Sequence, residues 1–163
     1  MKKITSTLSA CLFTALLFSS CGSSLSSAQK EAQAQEIRQK IEDFRFTFKA
    51  TYAYPTGYRS ISLSPYYDLK VSKDSVRAYL PYYGRAYIAP INPDEGGIKF
   101  TSTDFDYKVS EGKKAGNWRI EIIPKDLRWG DTTLSLDVWE NGNARLDVNS
   151  TDRQPISFHG DIE

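Results

Sequence analysis

Phe44-Arg45-Phe46-Thr47-Phe48-Lys49-Ala50-Thr51-Tyr52-Ala53-Tyr54 decides the class of this chain. Its apolar side chains recur at every second position, the period of a strand with one buried face. The reading turns Phe44, Phe46, Phe48, Ala50, Tyr52 and Tyr54 inward and leaves Arg45, Thr47, Lys49, Thr51 and Ala53 outward. Just upstream the period differs. From Ala28 to about Asp43 the residues are good helix formers, and Ala34, Ile37, Ile41 and Phe44 fall on one narrow face at 3.6-residue spacing.

Downstream the pattern stays strand-like to the end. Turn signals at Pro55-Thr56-Gly57, Ser72-Lys73-Asp74, Pro93 to Gly97, Glu111 to Lys114 and Asn141-Gly142-Asn143 cut it into short strands. These are expected near 44–54, 58–63, 66–72, 75–80, 86–89, 97–102, 105–109, 117–123, 133–139, 144–149 and 155–162. Short connections favour antiparallel neighbours, and a sheet of this many strands must curl or be covered to hide its apolar face and its edges. The expected fold is therefore α+β, mostly antiparallel β: an N-terminal helix against a strongly curved meander sheet or open β-barrel, with a two-sheet β-sandwich as the alternative.

The first residues read as an address. Lys2 and Lys3 precede an apolar run from Ala10 to Phe18, the length of a secretory signal and short of the ~20 residues that cross a bilayer. Cys11 and Cys21 compete as the lipidated residue. Leu8-Ser9-Ala10-Cys11 has the better lipobox residues, but cleavage there would leave the apolar run on the mature side, so position selects Cys21. Residues 1–20 are then a lipoprotein signal peptide, 21–27 a flexible tether and 28–163 a single domain. The expected location is the bacterial cell envelope, anchored to the membrane through the lipidated N-terminus, facing the periplasm from the outer membrane or displayed on the cell surface.

After such cleavage 19 Lys and Arg stand against 20 Asp and Glu, a net charge of −1, which points to no nucleic-acid partner. Cys21 is then the one remaining cysteine, so the domain folds without disulfides, and an acylated sulfur cannot act as a nucleophile.

Nine of the ten tyrosines lie between Tyr52 and Tyr87. Neighbours on a regular strand face opposite ways, so of Tyr82 and Tyr83 at least one would meet solvent or a cavity. Tyr66, Tyr79, Tyr82, Tyr83, Arg85 and Tyr87 are the candidate ligand-binding residues. Tyrosine offers contact area and a hydroxyl at small entropic cost, and Arg85 a charged donor. Pro81 and Gly84 suggest a bulge there. The ligand class this implies is small and amphipathic or aromatic; an envelope protein is the alternative partner.

Other candidates carry less. Asp104 and Asp106 share one face and read as the solvated side of a half-buried strand. The acidic turn Asn92 to Gly97 lacks the ligand spacing of a calcium loop. His159 is the single histidine, so multi-histidine metal sites are out, and no nucleophile, phosphate-loop or dinucleotide motif accompanies it. Trp118, Trp129 and Trp139 could form a sugar-stacking platform, but core burial is the preferred reading. No cofactor, metal site or catalytic residue is expected, and a hydrolase ranks last among the functions considered.

Leu80-Pro81-Tyr82-Tyr83-Gly84-Arg85-Ala86-Tyr87, Gly96-Gly97-Ile98, Asn117-Trp118 and Arg153-Gln154-Pro155-Ile156-Ser157-Phe158-His159-Gly160 together resemble the DUF4251 family of small bacterial lipoproteins, known only as a domain of unknown function. The resemblance spans about residues 35–163. It implies a lipoprotein signal, one domain and residence in the envelope, and lends no activity or site residues.

Overall fold

The computed structural model describes residues 26–88, 96–128 and 130–163. The expected signal peptide, Cys21 and the first residues of the tether lie outside them, as do most of the acidic turn before Gly97 and Trp129.

Helix α1, Ser27–Glu42, begins with a capping box: Gln29 N–H donates to Ser26 Oγ and Ser26 N–H to Gln29 Oε1 at 2.9 Å. The last residues of the expected tether are thus the cap and first turn of the helix. Ile37 and Ile41 are its buried face. It ends in a Schellman turn, with Arg45 N–H on Lys40 O and Phe44 N–H on Ile41 O, and Phe44 takes the left-handed conformation at φ 54°. Phe44 therefore terminates the helix instead of opening the strand. Its ring packs on Tyr107, centroids 4.0 Å apart.

Ten strands follow: β1 Phe46–Pro55, β2 Ile61–Ser62, β3 Asp68–Val71, β4 Val76–Leu80, β5 Ile98–Ser102, β6 Phe105–Glu111, β7 Asn117–Pro124, β8 Thr132–Trp139, β9 Asn143–Ser150 and β10 Arg153–Ile162. The strand expected at 86–89 is absent from its described part, where Ala86 makes one isolated bridge to Arg153. The order across the sheet is β5-β4-β3-β1-β10-β9-β8-β7-β6, every pairing antiparallel, with β2 on the second half of β1. Two meanders, β3–β5 and β6–β10, are thus joined through β1.

Following the antiparallel pairings around the sheet, β5 and β6 run in the same direction, and only Thr103 and Asp104 separate them. Same-direction strands so joined cannot lie side by side, because a parallel neighbour needs a long crossover. They are two halves of one bent strand. Ser102 Oγ donates to Asp104 O at 2.9 Å across the bend, and Lys125 N–H to the same carbonyl at 2.8 Å. Counted so, β5/β6, β7, β8, β9, β10, β1, β3 and β4 make an eight-membered antiparallel ring, nearly closed. An eight-stranded ring is just wide enough for side chains to fill. Here Phe48, Leu69, Leu80, Ile120, Ile122, Leu134, Leu136, Leu146 and Phe158 are all fully buried inside it.

Helix α1 lies at one end of the ring. Gln33 Nε2 donates to Asn141 O in the β8–β9 turn at 3.0 Å, and Tyr107 Oη donates to Ile41 O at 3.0 Å.

Along β1 the alternation slips once. Its register with β10 shifts between Ala50 and Tyr52, leaving Thr51 as the extra residue of a bulge. Phe46, Phe48 and Ala50 face inward, then Ala53 and Pro55 do; Tyr52 and Tyr54 turn outward, against the sequence expectation. Gly160 makes this possible. A Cβ built there would clash with the Lys49 carbonyl oxygen.

Candidate functional site

The six residues proposed from sequence separate into distinct places. Tyr66 stands in the turn before β3, 77% exposed. Tyr79 is on the outer face of β4, stacked against Tyr67 at 5.8 Å with Lys99 5.3 Å from its ring centre. Tyr82 and Tyr83 are both half-buried against the core, which a regular strand would forbid; residues 81–85 are irregular, so the parity argument does not apply to them. The side chains of Arg85 and Tyr87 are exposed.

Tyr82 closes a latch. Its hydroxyl donates to Arg85 O at 2.9 Å and lies 3.1 Å from Gln154 O, while Gln154 Oε1 accepts from Arg85 N–H at 3.1 Å. Above its ring sits the Arg153 guanidinium, 5.0 Å from the centroid, which also donates to Gly97 O at 3.1 Å and to buried Asp152 Oδ2 at 2.7 Å. Tyr87 N–H donates to Asp152 O at 2.7 Å. Burial alone would raise the Asp152 pKa, but hydrogen bonds from Arg153 and Ser150 and the guanidinium charge together hold it below the usual carboxylate range. Burial raises the Tyr82 phenol. The motifs around Tyr82, Gly97 and Arg153 that carry the family resemblance thus meet here, pinning the ends of the β4–β5 connection to the β9–β10 turn.

A concavity lies elsewhere, on the outer face at the helix-capped end. This open groove of about 730 Å³ is framed by Trp139, Glu140, Asn141, Asn143, His159 and Asp161, with Thr51 from the β1 bulge. Ala115, Gly116, Ala144 and Gly160 contribute almost no side-chain bulk, and that gives it depth. Gly116 has φ +74° and sits beneath the Glu140 carboxylate, where any Cβ would collide with it. The register brings the frame together, because Asp161 opposes Asn143 across β10–β9 and Trp139 and Asn143 flank the β8–β9 turn.

His159 packs against Tyr54, the rings tilted by 45° with centroids 4.5 Å apart, and its imidazole makes no hydrogen bond among the described residues. Shielding from solvent, then the neighbouring Arg145 charge, lowers its pKa, against a smaller opposing pull from Asp147. Arg145 and Asp147 are themselves joined at 3.0 Å and share Ser157, which donates to Asp147 at 2.6 Å.

A profile of the family described as "Domain of unknown function (DUF4251)" matches residues 28–162. The chain belongs to the DUF4251 family. A crystal structure of a DUF4251 family protein from Bacteroides eggerthii is similar to it, with a TM-score of 0.59 and 13% identity over 82% of this chain and 91% of that one. At that identity the likeness speaks for the fold alone. Among curated proteins none matches this DUF4251 chain. Among its described residues no helix is long and apolar enough to cross a membrane, and no group of three metal-ligating side chains occurs. Asp106 is paired with Lys125 at 2.6 Å.

From sequence alone Trp139 and His159 read as structural residues. The signal was present for Trp139: Leu134, Leu136 and Val138 alternate inward, which puts Trp139 outside, whereas Trp118 packs against the core. Nothing local in the sequence places His159 on the same groove, since the registers of three strands bring the two residues to it.

Proposed function

We propose that this DUF4251 protein is a lipid-anchored, non-enzymatic binding domain of the bacterial envelope that takes its ligand in the outer-face groove between Trp139 and His159. One observation carries the reading. The ring is filled by its own aliphatic and aromatic side chains, so recognition falls to the outside, where the groove gathers the exposed Trp139 and the Glu140, Asn143 and Asp161 side chains, which the fold among the described residues does not use. The tyrosine-rich strands offer contact area, but Tyr66, Tyr79 and Tyr82 stand in separate places on them. The non-enzymatic reading is supported by His159, which packs on Tyr54 and makes no hydrogen bond to a serine or carboxylate among the described residues.

The anchor rests on the signal-like run and Cys21. Ser26, the helix cap, stands five positions after Cys21, so the intervening chain spans at most about 18 Å. The domain would ride close to the lipid surface. Metabolic labelling with a palmitate analogue tests this: the protein takes up label, and Cys21→Ser abolishes it while Cys11→Ser does not. For the site, a soluble envelope extract of the producing bacterium is titrated against the isotope-labelled full chain. Shifts centred on Trp139, Asn143 and His159 support the groove; shifts centred on Tyr66 and Tyr79 favour ligand or partner capture on the tyrosine-rich strands instead.

A further inference from the structure

We infer that the groove is a saccharide site, built for an uncharged sugar chain whose ring lies on the Trp139 indole; this names the ligand class for the site proposed above and rests on that reading. The geometry supplies both halves of what a sugar presents. A pyranose has an apolar C–H face, which an indole covers, and a rim of hydroxyls that donate and accept at once. Trp139 is 37% exposed at the edge of the groove. Around it stand two carboxylates that accept, Glu140 and Asp161, and the Asn143 carboxamide and His159 imidazole that do both.

These side chains are not spent elsewhere. Among the described residues neither Glu140 nor Asp161 has an ion pair, and Lys49, which opposes Asp161 across β1–β10, reaches instead to Asp68 at 3.2 Å. An anionic ligand would therefore meet two uncompensated carboxylates. A cationic one supplies donors alone, and would leave the Asn143 amide and the His159 ring N–H without an acceptor. A purely apolar ligand would strip water from carboxylates and a carboxamide without replacing their hydrogen bonds. A neutral polyhydroxyl ligand satisfies all three conditions, and the volume suits a short oligosaccharide.

The test uses the full chain in a detergent without a sugar headgroup. Envelope extract is divided, and one half is treated with periodate, which cleaves vicinal diols, then quenched. Untreated extract shifts the Trp139 indole and His159 resonances, and periodate treatment abolishes the shift. In parallel, cellohexaose, maltohexaose, mannohexaose and chitohexaose are titrated while tryptophan emission is followed. At least one binds, Trp139→Ala weakens it tenfold or more, and Tyr58→Ala, on an exposed tyrosine outside the groove, leaves it unchanged. Circular dichroism shows that both variants keep the fold. If periodate-treated extract still shifts Trp139 and His159, the groove stands as a site and the saccharide is overturned. If neither extract shifts them, the site itself is overturned.

Discussion

Gly160 of β10 lies so close to Lys49 of β1 that the Lys49 carbonyl oxygen occupies the space a side chain at 160 would need. This contact seats the Thr51 bulge, and the bulge turns Tyr52 and Tyr54 outward and brings Tyr54 to the His159 ring. Gly160→Ala must therefore shift backbone. We expect a loss of about 2–4 kcal/mol in urea unfolding, in the upper range for forced overpacking. A change below about 0.5 kcal/mol would show that the bulge relaxes freely.

Arg153, partly buried, pairs with fully buried Asp152 beneath the β4–β5 connection. Removing only the cation leaves an uncompensated carboxylate, so Arg153→Met should cost about 3 kcal/mol or more. Tyr82→Phe removes one hydroxyl hydrogen bond and keeps the ring under the guanidinium; about 1 kcal/mol is expected. Equal losses from the two would contradict the division of roles within the latch.

Phe44 holds a left-handed conformation that costs about 1 kcal/mol in a residue with a Cβ. Phe44→Gly relieves that strain and loses the ring contact with Tyr107, whereas Phe44→Ala keeps the strain and loses the contact. The alanine variant should be less stable than the glycine variant by about 1 kcal/mol in thermal unfolding, the reverse of the usual order in helices.

The pH dependence has a definite sign. His159 has its pKa lowered in the fold, so below about 6.5 the unfolded chain takes the proton first and stability falls with pH through that window. Above it the contribution is fully present. His159→Asn should flatten the urea midpoint between pH 7.5 and 5. Asp152, also held low, gives a second loss only as pH falls below the ordinary carboxylate range.

Much of the fold was legible because its signals are local. The helix period from Ala28, the alternation from Phe46 and the turn residues place α1 and nine of the ten strands within a few residues of where they lie; β2 shrinks to Ile61–Ser62. What failed was non-local. The parity of β1 is reset by Gly160, over a hundred residues away. Residues 86–88 read as a strand but spend their backbone on the β9–β10 turn, with Tyr87 and Ile88 donating to Asp152 O. The bend at Thr103–Asp104 looks like a hairpin turn, and only the strand directions reveal a shared bent strand. The groove was least legible, since the alternation of β8 turns Trp139 outward but only the registers of β8, β9 and β10 bring Asn143, His159 and Asp161 to the same face.

The most direct test of the central claim is a residue-resolved map of the labelled full chain with envelope extract. The account predicts that the Trp139 indole, Asn143 and His159 shift together, with Phe48, Leu136 and Phe158 in the ring interior unmoved. Shifts concentrated on those interior residues would mean that the filled ring opens to hold the ligand, and would contradict it.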